Sequence, residues 1–226
     1  MQKHLNTAFN QFDDFDDNQE TLFKRIAKDI YSKGYSINPS ALSENLGNNL
    51  LWHLSTMNEE KFEDARIGRD NQLMKNNFVR SDEICWITGE SNAGREWLHW
   101  TRQLKEFLNQ RLFLGLFSFE SHFSHYSPGD FYKRHVDAFK GSENRRLSII
   151  VYLNPDWLPE NEGELILYTG EHNGEGIKVR PSFGTIVVFL SEDFPHEVLP
   201  ANRDRYSIAG WFRVNSSTEY RADPPL

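Results

Sequence analysis

Three observations predict a mainly β fold with supporting helices: a jelly roll whose α-helical N-terminal portion packs on one sheet. First, after Arg111 the apolar residues leave helical spacing and fall into period two or short apolar runs. Second, the turn signals SPGD, FKGSEN, NPDWLPENEG, TGEHNGEG and RPSFG cut that half into eight short strand candidates. Third, aromatics make up 14% of the chain, with 17 Phe and 6 Trp, a composition that fills a sheet-based core. Eight short strands after a helical portion fit two packed sheets with helices on one of them.

In chain order, residues 1–17 end in the acidic, aromatic stretch FDDFDDNQ and read as a flexible arm. Residues 18–226 read as a single domain. Leu22, Phe23, Ile26 and Ile30 recur at helical spacing from Glu20 to Ser32, and Gly34 stops that helix. GYSIN reads as a short strand. Pro39 and Ser40 are expected to open a second helix carrying Leu42, Leu46, Leu50, Leu51 and Leu54. Residues 58–78 are polar and mixed and read as a loop. Val79 to Trp86 alternates into a strand. SNAGREWLHWTRQLKEFLNQ is a third amphipathic helix, with Trp97, Trp100, Leu104 and Leu108 on its core face. The eight later strands are LFLGLFSFESHFSHY, DFYKRHVD, RRLSIIVYLN, GELILYT, IKV, GTIVVFL, HEVLP and RYSIAGWFRV.

Composition narrows the function. A net charge of −8 argues against non-specific nucleic-acid binding. The single cysteine, Cys85, rules out an intramolecular disulfide and a cysteine-rich zinc module, and fits a reducing compartment. No apolar run approaches the length of a signal peptide core or a membrane helix, so a cytoplasmic protein without membrane contact is expected.

The chemistry-bearing residues lie in the second half. His135 and Asp137 stand two apart in RHVD, and alternate residues of a strand share a face. His196 opens a later strand in FPHEV. Two imidazoles and one carboxylate on one face, without thiolates, suit a mononuclear iron site with open positions opposite. Arg205 follows in RDRYSIAGW, and Ser207 shares its strand face. A guanidinium is a permanent cation that grips a carboxylate with two hydrogen bonds, which is what an anion in an apolar barrel requires. Taken alone, HVD is a weak signal, and a solvated surface histidine is the ordinary alternative. His122 and His125 in ESHFSHY stand three apart, on opposite strand faces, and are not expected to bind one metal. Cys85 reads as a buried strand residue.

The wider context is HYSPGDFYKRHVD, IVYLNPDW, GTIVVFLSEDFPHEVLPA and RYSIAGWF, with VRSDEICWI further upstream. Together these resemble the prolyl hydroxylase branch of the Fe(II)- and 2-oxoglutarate-dependent dioxygenases. The likeness is to the hypoxia-inducible-factor prolyl hydroxylases and their bacterial relatives, over roughly residues 20–213. The resemblance implies a double-stranded β-helix that uses Fe(II), 2-oxoglutarate and molecular oxygen, with ascorbate as activator. It implies His135, Asp137 and His196 as metal ligands, and Arg205 with Tyr152 at the cosubstrate's distal carboxylate. Tyr126 would stand near the cosubstrate's other end, Trp211 near the metal pocket, Arg145 near the substrate entrance, and Asp82 in the entry strand. It points to a target proline in a protein or peptide; for bacterial relatives, a translation elongation factor. The residues 58–78, with Arg66, Arg69 and Lys75, and Arg80 just beyond them, are then expected to flank a peptide groove. A free amino acid as substrate, or a non-catalytic binding module of the same fold, are the alternatives.

Overall fold

The computed structural model describes residues 17–57, 61–65, 79–138, 144–170 and 174–215. Helix α1 (Asp17–Lys33) buries Leu22, Phe23, Ile26, Ala27 and Ile30 on one face. Gly34 ends it in the left-handed region, at φ 78°, where an added Cβ would meet the Phe194 ring at 2.8 Å. Strand β1 (Tyr35–Asn38) follows. Helix α2 (Glu44–Thr56) begins five residues after Pro39, because Ser43 and not Ser40 is its cap: the Ser43 hydroxyl accepts from the Leu46 N–H. Ser40 is at φ 50°, and the N–H groups of Ala41 and Leu42 both donate to the Gly184 carbonyl at 2.8 and 3.0 Å. That segment is therefore tied to the neighbouring sheet and not to a helix, although Leu42 and Leu46 are core as expected. Strands β2 (Glu63–Asp64) and β3 (Glu83–Trp86) lead to α3 (Asn92–Leu112), which Ser91 caps and Phe113 ends in the left-handed conformation.

The eight later strands all form. They are β4 (Leu116–Tyr126), β5 (Tyr132–His135), β6 (Arg145–Tyr152), β7 (Leu165–Leu167), β8 (Ile177–Val179), β9 (Ile186–Leu190), β10 (His196–Val198) and β11 (Arg205–Val214). They make a major sheet in the order β1-β9-β6-β11-β4-β3-β2 and a minor sheet in the order β5-β10-β7-β8, antiparallel throughout. Strand alternation divides the core in two. Leu147, Ile149 and Val151 of β6 join the three helices in one cluster, with Trp97 and Trp100 stacked at 5.5 Å. Ile150 and Tyr152 point the other way, between the sheets, with Leu165, Leu167, Val187, Phe189 and Val198. The candidate site lies on this inner side. Among the described residues no helix is long and apolar enough to cross a membrane.

Two boundary differences bear on the site. The strand expected over 79–86 is regular only from Glu83, and Arg80 instead makes an isolated bridge to Tyr132. Strand β5 ends at His135, so Asp137 lies in the bend just beyond it, free to turn towards its partners. Residues 1–16, 58–60 and 66–78, including Arg66, Arg69 and Lys75, lie outside the described residues.

Candidate metal and dicarboxylate site

His135 and His196 are directly paired across β5 and β10, which places both imidazoles at the same edge of the minor sheet. The Nε2 atom of His135 lies 3.6 Å from Asp137 Oδ1, and that of His196 lies 3.7 Å from Asp137 Oδ2. One ligand atom from each of the three residues falls within 4.8 Å of the others. The rings are oriented by one repeated device. His135 Nδ1 donates to the Lys133 carbonyl at 2.8 Å, and His196 Nδ1 donates to the Phe194 carbonyl at 3.2 Å. Each bond runs two residues back along the chain. A carbonyl only accepts, so Nδ1 carries the proton and the Nε2 lone pair turns inward, as metal-ligating histidines require. Tyr132 stacks on His135 at 3.5 Å, and Phe189 meets His196 edge-on at 4.8 Å.

Asp137 is held as firmly. Ser148 Oγ donates to its Oδ2 at 2.6 Å, and Ser148 is itself 2.9 Å from Ser191 Oγ. Burial alone would push the Asp137 carboxyl up, but His196, His135 and the Ser148 hydroxyl outweigh it and hold it well below the usual carboxylate range. Burial pushes His196 down to about 4, against the pull of Asp137, so its imidazole is neutral at pH 7. A pair of imidazoles with one carboxylate is a ready donor set for a ferrous ion, and the group contains no thiolate.

The same pocket holds Arg205, which is only 1% exposed. Its Nε donates to the Gly163 carbonyl at 3.0 Å and its Nη1 to Ser207 Oγ at 3.4 Å. The rings of Tyr126 and Tyr152 each lie 5.0 Å from its Cζ. No carboxylate among the described residues pairs with it. The Tyr152 hydroxyl is buried without a regular hydrogen bond, and burial pushes it up to about 12 against the nearby Arg205 charge. A desolvated cation beside a buried hydroxyl is suited to hold an anion.

The sequence-predicted residues are thus brought together: His135, Asp137, His196, Arg205, Ser207 and Tyr126 all line one cavity, and Tyr152 stands behind Arg205. Tyr126 is on the Arg205 side, directly opposite it in register, and the charges its hydroxyl feels most are Asp82 and Arg80. Trp211 pairs with Ser148, close to the metal corner, and its buried Nε1 has no partner. Arg145 lies 3.8 Å over the Trp211 ring and forms an ion pair with Glu120 at 2.8 Å. Cys85 is half-buried on β3, at a groove with His53 and Lys61.

Two pocket residues show what the sequence alone did not. His122 is buried and lines the cavity, whereas His125 on the opposite face bonds Asp204 at 2.8 Å. Their opposite faces were read correctly, but what each face looks at was not legible. Arg80 is no free groove cation: it grips Asp82 through two bonds of 2.7 and 2.6 Å. The R-S-D spacing, which puts both side chains on one face, was the available signal.

A jelly roll that presents two histidines and a carboxylate at one sheet edge, beside a buried arginine, defines a mononuclear facial-triad oxygenase architecture. Comparison with known proteins agrees. Residues 121–213 match the model of the 2OG-Fe(II) oxygenase superfamily. The crystal structure of a Pseudomonas putida prolyl-4-hydroxylase is 36% identical, with a TM-score of 0.77 over 85% of this chain and 99% of that one. A Trichoplax adhaerens prolyl hydroxylase, in complex with a hypoxia inducible factor peptide fragment, is 25% identical with a TM-score of 0.75, over 86% of this chain and 90% of that one. Prolyl hydroxylase EGLN3 of Mus musculus is 24% identical over 87% of this chain and 85% of its own length. Egl nine homolog 1 of Rattus norvegicus is 35% identical over 37% of this chain, a stretch that spans only 25% of that protein. The chain belongs to the 2OG-Fe(II) oxygenase superfamily, in its prolyl hydroxylase branch, a class of dioxygenases that use Fe(II), 2-oxoglutarate and oxygen.

Proposed function

We propose that this protein hydroxylates a prolyl residue within a protein substrate. In this reading His135, Asp137 and His196 hold Fe(II), and Arg205 with Ser207 and Tyr152 holds the distal carboxylate of 2-oxoglutarate. The observation that carries it is the pairing, in one cavity, of an oriented two-His, one-carboxylate face with a buried guanidinium that lacks a carboxylate. Both groups fit the donors present: the face offers two imidazole nitrogens and one carboxylate, and the arginine corner offers a cation and a buried hydroxyl.

When bound, Fe(II) with 2-oxoglutarate and oxygen supplies the oxidising power for C–H hydroxylation, with succinate and carbon dioxide as the cosubstrate's products. The protein's own residues bind, orient and exclude water. Lys133 and Phe194 carbonyls fix the two imidazoles, Ser148 fixes the carboxylate, and the Arg205 corner fixes one end of the diacid. Ile150, Leu165 and Val198 line the space between and keep it dry. A prolyl substrate in a polypeptide is supported by the likeness to the Pseudomonas prolyl-4-hydroxylase and to the peptide-bound Trichoplax enzyme. A translation elongation factor is the first protein to try.

The test is incubation of the purified chain with Fe(II), ascorbate, 2-oxoglutarate and a purified elongation factor, then with a fractionated proteome. Succinate is quantified and peptides are screened by mass spectrometry for one added oxygen on proline. A hydroxyprolyl peptide formed by the parent and not by Asp137→Ala supports the reading. Hydroxylation of free proline with no modified protein overturns the protein-substrate part.

A further inference from the structure

His122 is not used in the scheme above, yet its imidazole stands in the same cavity and is only 3% exposed. Its place in the strand register says which part of the reaction it faces. On the inner face of the major sheet, Tyr126, Ser124 and His122 of β4 lie opposite Arg205, Ser207 and Ala209 of β11. The cavity therefore runs along β11, one pair about every 6.8 Å. Arg205 leans towards Ser207, at 3.4 Å, at one end. At the other end Asp137 is tied to Ser148 of β6, which pairs with Trp211. A five-carbon diacid spans roughly 5 Å between its carboxyl carbons, built from bonds of about 1.5 Å. Anchored at Arg205, it is directed to the β6 side, where the triad is. The backbone of His122 is on the β4 side, two strands and about 10 Å from β6, across the bare methyl of Ala209, and its ring lies 5.4 Å from that of Trp211. Beside it, the Trp86 ring lies 5.3 Å away and is 52% exposed, so this side leads out to the surface.

The atoms are equally directional. His122 Nδ1 is 3.2 Å from the Phe123 carbonyl and 3.1 Å from Ser124 Oγ. The carbonyl can only accept, so Nδ1 carries the proton. Burial pushes the imidazole down to about 3, with Arg80 adding to the effect, so the ring is neutral and Nε2 is a bare lone pair. Nε2 has no hydrogen-bond partner among the described residues. A bare lone pair on a residue that lines the cavity asks for a donor.

We infer that His122 holds the backbone of the prime substrate, its Nε2 accepting a hydrogen bond from a peptide N–H flanking the target proline. Proline has no N–H of its own, so the donor belongs to a neighbouring residue. The inference rests on the protein-substrate reading and is tested separately from it. A synthetic 15-residue peptide centred on the proline found hydroxylated above is titrated, without oxygen, into protein loaded with Mn(II) and 2-oxoglutarate. His122→Leu weakens peptide binding about fivefold to tenfold, the worth of one neutral hydrogen bond. His122→Gln, which keeps an acceptor, recovers part of it. Affinities for Mn(II) and for 2-oxoglutarate, measured on the same variants, stay within twofold. Peptides N-methylated at one backbone position at a time then locate the donor: one of them binds the parent weakly but gives no further loss in His122→Leu. The inference is overturned if His122→Leu binds the peptide as the parent does. It is equally overturned if Mn(II) affinity falls alongside peptide affinity, or if no methylated position distinguishes parent from variant. If no protein is hydroxylated in the first place, the reading beneath it has failed, and that is visible before any His122 variant is made.

Discussion

Arg80 and Arg205 line the same cavity, both largely removed from water, and they are settled in opposite ways. Arg80 makes a two-bond fork to Asp82, which is 1% exposed, and its guanidinium lies 4.4 Å over the Tyr132 ring. Tyr132 in turn stacks on His135, so this pair is part of the wall behind a metal ligand. Arg205 has a carbonyl, a serine hydroxyl and two tyrosine rings, but no counter-charge among the described residues. Taking a charge out of water costs several kcal/mol unless a partner compensates. The protein supplies that partner at Arg80 and leaves it to a ligand at Arg205. One arginine is architecture and the other is a binding group, though composition and burial alone cannot tell them apart.

Removing the carboxylate of the metal face has the largest effect expected. Asp137→Ala takes away the one charged member of the triad. Fe(II) affinity should fall by more than the 10–100-fold typical of losing an outer partner. Circular dichroism of the metal-free protein should be unchanged, because Asp137 lies in a bend after β5 and is not in the apolar core. Next in size is the comparison itself, read in the metal-free protein by denaturant unfolding. Asp82→Ala leaves Arg80 buried and unpaired and should cost about 3–5 kcal/mol. Arg205→Met removes a charge that was never paired, and should leave stability within about 1 kcal/mol of the parent or above it. Equal losses in the two variants would erase the distinction. Arg205→Ala should weaken 2-oxoglutarate by about 2–5 kcal/mol, roughly 30-fold or more, while Fe(II) affinity changes little. Tyr152→Phe is the mildest: one neutral hydrogen bond, about threefold to tenfold in 2-oxoglutarate affinity. It should bring little loss of metal-free stability, because the hydroxyl it removes makes no regular hydrogen bond among the described residues.

The sequence carried the β half well because each strand is a short apolar or alternating run fenced by glycine, proline or asparagine. RRLSIIVYLN and RYSIAGWFRV became β6 and β11 almost to the residue. The triad was legible from HVD and the distant FPHEV because adjacent strands deliver ligands at such spacings, and the family resemblance added Tyr152. What could not be read came from tertiary pairing. Nothing local says that the N–H groups of Ala41 and Leu42, just after Pro39–Ser40, bond the Gly184 carbonyl, so that no helix starts there. Nothing local says that the chain bends after His135, or that Ser148 of β6 reaches Asp137 and is itself met by Ser191 from just beyond β9. His122 was set aside because its spacing to His125 forbids a shared metal; that reasoning is sound but silent on the cavity His122 faces.

The most direct test of the central claim, that Arg205 is a buried cation kept for a dicarboxylate, is oxygen-free thermal unfolding of Mn(II)-loaded protein with increasing 2-oxoglutarate. A ligand that binds only the folded state stabilises it by about 2.7 kcal/mol at a hundred times its Kd. The parent should gain stability steadily with 2-oxoglutarate, while Arg205→Met should start at least as stable and gain almost nothing over the same range. A parallel rise in both proteins would place the dicarboxylate elsewhere and contradict the account.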